Sequence, residues 1–187
     1  MQNMPKYLTP LLPLLLLLGL LPACAGGNAV KLTYALGPTP APCRSKAVIY
    51  KFEDQRPGSR LGRDSSGRTI ESLSNVPDWV GWALFDELRS AGCDVKYRTS
   101  TLPEDNTPVV TGEVLELGLN QTGATTWKGN ITVRILVKRD GKIVHSEKLA
   151  SEVENVVLPG YGTQSDLLAE TLRTLMTEVV PAVCKQL

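Results

Sequence analysis

The hydrophobic pattern opens with a leucine-dominated run from Leu8 to Ala23, broken by Pro10, Pro13 and Gly19 and preceded by a short piece carrying Lys6. From Cys24 to about Cys43 the composition turns to Gly, Ala, Pro and Thr, and this stretch reads as a tether. Lys46 to Phe52, rich in β-branched and aromatic residues and bounded by Pro42 and Pro57-Gly58, is the first strand. Asp54 to Ser74 shows no period that would bury one face and reads as a long loop. Asn75-Val76-Pro77-Asp78 is a helix start, with a capping side chain, a proline in the first turn and an acid near the positive end of the dipole. Val80, Leu84 and Leu88 then make an apolar stripe at helical spacing, and Gly92 supplies the stop. Trp79, Trp82 and Phe85 flank that stripe, either as core margin or as an interaction surface.

Three further strands follow at Asp94 to Arg98, Pro108 to Leu119 and Gly129 to Lys138, the last with Ile131, Val133, Ile135 and Val137 in strict alternation. Asp140-Gly141 accepts the positive φ of a type I′ turn, so Lys142 to Ala150 should return antiparallel. Thr163-Gln-Ser-Asp166 resembles a capping box, and Leu168, Leu172, Leu175, Met176 and Val179 form the stripe of a second helix reaching Pro181. The expected fold class is α+β: a two-layer sandwich with a mostly antiparallel sheet of about five strands and two helices on one face, in the order β-α-β-β-β-β-α.

The leucine run is shorter than the ~20 apolar residues that span a bilayer, and it ends in small residues, as a cleavable leader does. It closes on Leu21-Pro22-Ala23-Cys24, which looks like the lipobox of bacterial lipoproteins. The chain therefore divides into a signal peptide at 1–23, a Pro/Gly-rich tether at 24–44 starting at a lipidated Cys24, and a single α+β domain at 45–187. Retention in the inner membrane usually goes with an Asp after the cysteine. Here Ala25-Gly26-Gly27 follows, so the expected location is the outer membrane, lipid-anchored and facing the periplasm.

Charge narrows the partners: 20 Lys and Arg nearly balance 19 Asp and Glu, and no basic run stands out, which argues against nucleic acid. Cys43, Cys93 and Cys184 remain beyond Cys24, and an exported chain sits where thiols oxidise. If the first strand, first helix and next strand form a right-handed crossover, Cys43 and Cys93 fall at the same sheet end and form the preferred bridge. Cys184 then belongs at the opposite edge, and a bridge to it is the second choice. No metal site or cofactor is expected, because there is no Cys-x-x-Cys and His145 is the single histidine. No nucleophile with a base, no carboxylate pair and no phosphate cradle appears at a useful spacing, so the chain reads as noncatalytic. Leu158-Pro-Gly-Tyr-Gly162 is a turn-rich loop that serves equally as a linker or a ligand lip.

Phe52-Glu53-Asp54-Gln55-Arg56-Pro57 followed by Leu61-Gly62, after a lipobox and a Pro-rich tether, resembles the YajG family of bacterial lipoproteins. That resemblance implies an envelope lipoprotein without catalysis, related in fold to small α+β outer-membrane assembly and transport-auxiliary lipoproteins. Asp54, Arg56, Leu61, Gly62, Trp79 and Trp82 are the candidate partner-binding residues, although an Asp-x-Arg after a strand can also simply bond its own backbone. Two functions follow as expectations. One is an adaptor, held at the membrane by its lipid, that binds an envelope protein by strand addition or through the loop 54–74. The other is a carrier that encloses a lipid or peptidoglycan fragment in an apolar pocket. The sequence sets no oligomeric state.

Overall fold

The computed structural model describes residues 28–38, 42–100, 106–158, 160 and 162–187; the stretch read as a signal peptide, Cys24, Pro159 and Tyr161 lie outside them. Within these residues the chain order is β1 (Asn28–Val30), β2 (Lys46–Tyr50), β3 (Glu53–Asp54), β4 (Arg60–Arg63), β5 (Thr69–Ser72), α1 (Val76–Ser90), β6 (Asp94–Arg98), β7 (Val109–Gln121), β8 (Thr126–Arg139), β9 (Lys142–Val156) and α2 (Gln164–Cys184).

Among the described residues the fold is α+β with two helices, but the nine strands form two sheets, one of three strands and one of six. This corrects the expected single sheet of about five. The additional strands come from the segments read as tether and loop. Each is two to four residues long, and β1, β4 and β5 carry one buried side chain apiece, Val30, Leu61 and Ile70. A single buried position makes no period, so alternation cannot reveal such a strand.

The larger sheet runs β6-β2-β7-β8-β9, with β3 also paired to β7. β2 and β6 are parallel, Lys46 opposite Asp94. β7, β8 and β9 form an antiparallel meander, and Asp140 and Gly141 make its second turn with φ of 51° and 73°. On β8 the buried residues Trp127, Ile131, Val133, Ile135 and Val137 face the helices. The opposite face carries cross-strand ion pairs, Arg134 with Glu113 and Lys128 with Glu152. Leu84, Leu88, Leu168, Leu172, Leu175, Ile131 and Ile135 fill the space between helices and sheet, each at most 2% exposed.

Local chemistry sets the helix ends. The Asn75 side chain accepts from the Asp78 amide, Gly92 takes φ of 92° beyond α1, and Thr163 and Asp166 cap α2 reciprocally. α2 runs three residues past Pro181 to Cys184.

The small sheet, β1-β5-β4, joins the core at the far half of β7. A Cβ on Gly62 would run into the Leu119 carbonyl oxygen, so only glycine lets β4 lie this close. After β1 the chain crosses both helices as a strap, which corrects the reading of residues 28–38 as tether. Leu32 is buried, the Trp79 indole donates to the Thr33 carbonyl at 2.9 Å, and Ser165 Oγ donates to the Lys31 carbonyl at 2.7 Å. Glu87, buried on α1, accepts from Tyr34 Oη at 2.5 Å and from the Gly37 amide at 2.8 Å.

Candidate functional site

The six sequence candidates separate into four places. Asp54 and Arg56 satisfy each other: Arg56 Nε and Nη2 each donate to an Asp54 carboxylate oxygen at 2.8 Å, and the Arg56 amide adds a third bond. The Arg56 side-chain bond holds the Asp54 carboxyl below its ordinary value. The guanidinium is 6% exposed, and its Nη1 is buried with no partner among the described residues. The pair is a built turn whose outward face is the Asp54 carboxylate. Leu61 and Gly62 are packing residues of the small sheet, the first buried and the second pressed on β7. Trp79 is buried at 8% exposure under the strap.

Trp82 remains, 48% exposed. Its ring stacks on Tyr97 at 4.3 Å and 15°, and it meets the edge of Phe85 at 5.4 Å. Position 82 lies four residues after Asp78 and three before Phe85, so these side chains share one helix flank. Tyr97 comes from β6, an outer strand of the large sheet, and its ring supports Trp82 from below. Burial, and then the charge of Asp78, push the Tyr97 hydroxyl up to about 12. The sequence reading missed Tyr97. Its signal was the alternation of Val95 and Tyr97 in a strand of only five residues.

Beside this aromatic group lies an open cleft of about 590 Å³, whose lining includes Lys51, Glu53, Asp54, Asn75, Asp78 and Thr99. Three carboxylates face one lysine there. The surface thus combines an exposed stacked aromatic group, an acidic cleft and an outer strand edge. Such a surface can bind a segment of chain, and it contains no nucleophile paired with a base.

A second cluster lies at the sheet end where β2 and β6 begin. Cys43 and Cys93 pair as a disulfide with Cα atoms 5.4 Å apart, and Cys184 is free. All three sulfurs lie within 4.8 Å of one another. The expected placement of Cys184 at the opposite edge is therefore corrected, because α2 ends over the same end of the sheet as the bridge. Burial pushes the Cys184 thiol up, so it is protonated at neutral pH. His145 Nε2 lies 3.2 Å from Glu147 on the same face of β9, away from these cysteines in the chain.

No family model matches the chain, and no curated protein matches it. Its fold is shared with the crystal structure of protein XCC0632 from Xanthomonas campestris, described under the family model DUF330. The identity is 13%, the match covers 85% of this chain and 97% of that one, and the TM-score is 0.61. Weaker likenesses extend to a PelC dodecamer subunit from Paraburkholderia phytofirmans (15% identity, 78% and 96% covered, TM-score 0.45) and to a minor lipoprotein from Acinetobacter baumannii (11%, 79% and 92%, TM-score 0.41). At these identities the comparison establishes the architecture alone.

Proposed function

We propose that the chain is a noncatalytic envelope lipoprotein of YajG type, anchored in the outer membrane through Cys24 and facing the periplasm, that acts as an adaptor for another envelope protein. The observation that carries the adaptor role is the exposed Trp82, stacked on Tyr97 of β6, a strand that pairs only with β2 among the described residues. A half-exposed tryptophan held rigid by a second ring has little rotamer freedom left to lose, which suits it as an anchor for a partner segment. An extended segment laid along the outer side of β6 would bond its backbone groups and place a side chain against that platform. Among the described residues the apolar side chains between helices and sheet form one buried cluster, which supports this reading over a carrier that needs an apolar chamber.

A photo-crosslinking residue at position 82 should give a discrete adduct in cells, and the same residue at Ile143, on the opposite edge strand, should not. Trp82→Ala should weaken partner binding by at least about tenfold, roughly 1.4 kcal/mol. It should change folding stability by less than about 1 kcal/mol, because the ring is half in solvent. Unchanged partner binding by a folded Trp82→Ala protein would remove the basis of the adaptor reading.

A further inference from the structure

Ala25, Gly26 and Gly27 are the only residues between Cys24 and the first residue of β1. From Asn28 onward the chain is fastened. Asn28 Nδ2 donates to Asp64 at 3.0 Å, Leu73 donates its amide to the Val30 carbonyl, and the Leu32 amide donates to Ser74 Oγ. Further along, the strap is tied to Ser165, Glu87 and Arg173. Whatever its conformation, a piece four Cα steps long reaches at most about 14 Å. By contrast the fourteen residues of β8 run about 45 Å from end to end.

Several loops meet at the end where Asn28 enters. Asn28 stands opposite Ile70, next to the β4–β5 turn at 64–68. The Arg63 amide donates to Asn120 Oδ1 and the Ser65 amide to Gln121 Oε1, which brings in the β7–β8 turn. The Val157 amide donates to the Thr125 carbonyl, which adds the end of β9. This end exposes Val156 and Leu158, 39% and 40%, together with the cations Lys31, Arg63 and Arg68. Carboxylates at this end accept bonds from neighbours: Asp64 from Arg68 and Asn28, Glu154 from Thr122 and Asp166 from Thr163. The turn at Asp140-Gly141, the C-terminal residues bonded by Arg139 and the three cysteines lie at the other end.

We infer that the end bearing the turns at 64–68 and 122–125 and the apolar residues Val156 and Leu158 rests on the phospholipid headgroup layer that holds the Cys24 acyl chains, and that the cysteine-bearing end points away from it. The inference rests on acylation of Cys24, which supplies the anchor. The headgroup layer is the occupant because the short piece after Cys24 holds this end beside it. The reach of about 14 Å keeps Asn28 near the headgroups, and this end offers apolar side chains and cations toward anionic lipid.

The test uses the full-length, exported protein reconstituted in phosphatidylethanolamine–phosphatidylglycerol vesicles doped with headgroup spin-labelled lipid. A genetically encoded fluorescent residue is placed at Ser66 in one sample and at Asp140 in another. Quenching should be several-fold stronger at 66 than at 140. Inserting about twelve Gly and Ser residues between Gly27 and Asn28 should reduce that contrast. Equal quenching at the two positions, stronger quenching at 140, or a contrast indifferent to the insertion overturns the orientation. The mass of the Cys24 peptide from the same vesicles separates the two readings. An acylated peptide with equal quenching rejects the orientation alone, and an unmodified peptide rejects the anchor and the orientation together.

Discussion

Asp64 is the residue on which the smaller sheet turns. Its carboxylate accepts from the Ser66 hydroxyl and amide, from the Arg68 amide and guanidinium, and from Asn28 across the sheet. The Ser66 hydroxyl first, then the Arg68 groups, hold it down to about 2, against 3.8 when unconstrained. A folded-state pKa below the unfolded one gives stability that is complete above the unfolded value and is lost as pH falls through the folded one. The β4–β5 turn should therefore keep its amide protection at neutral pH and lose it between pH 3.8 and about 2. A carboxyl carbon titration followed by NMR, with hydrogen exchange of the turn, checks this, and a midpoint for Asp64 near 4 would contradict it. Ser66 and Arg68 are local to Asp64, but Asn28 had no signal in the sequence, because it lies 36 positions away in what reads as tether. The Asp54–Arg56 pair was visible, since its partners are two residues apart and a turn can be argued from composition.

At the scale of elements, what could be read depended on length. β8 and β9 announce themselves by alternation and by the Asp-Gly turn, and both helices by their caps, because each signal is local to the segment that carries it. β4 carries none. Its place is fixed by the bare Cα of Gly62 against Leu119 of β7, a contact 57 positions apart that no pattern within either strand encodes. Gly62→Ala should force β4 off β7 and cost about 3 kcal/mol, an overpacking effect against backbone that cannot retreat. Urea denaturation of the variant measures it, and a loss under about 0.5 kcal/mol would mean the small sheet is not seated on β7 as described. The same logic explains why Tyr97 escaped notice while Trp82 did not: a tryptophan on a helix flank can be seen in isolation, whereas its stacking partner is assigned only once β6 is packed beside α1.

For the molecule as a whole, the Cys43–Cys93 bridge closes a 50-residue loop that contains β3, the small-sheet hairpin and α1. Tying a loop of that length removes freedom from the unfolded chain worth about 4 kcal/mol. Reduction followed by alkylation should lower the melting temperature by on the order of 10 °C. Calorimetry of the two forms decides this, and coincident melting curves would show that the bridge adds nothing to the fold. Parallel pairing of β2 with β6 was the one long-range relation that the sequence order implied, because a helix between two strands favours a crossover. The seating of a second sheet, and the return of α2 to the cysteine end, depend on how whole elements stack and have no signature in any one segment. One feature of that stacking bears on how copies of the protein behave side by side. β9 is fifteen residues long and pairs only with β8 among the described residues, so its outer edge is bare. Under the proposed anchor, molecules confined to a leaflet would collide in two dimensions, edge toward edge, far more often than in dilute solution. Lys142, Glu147, Lys148, Glu152 and Glu154, spaced along that strand, would each have to give up water for such a pairing, and that cost works against ribbons of zippered copies.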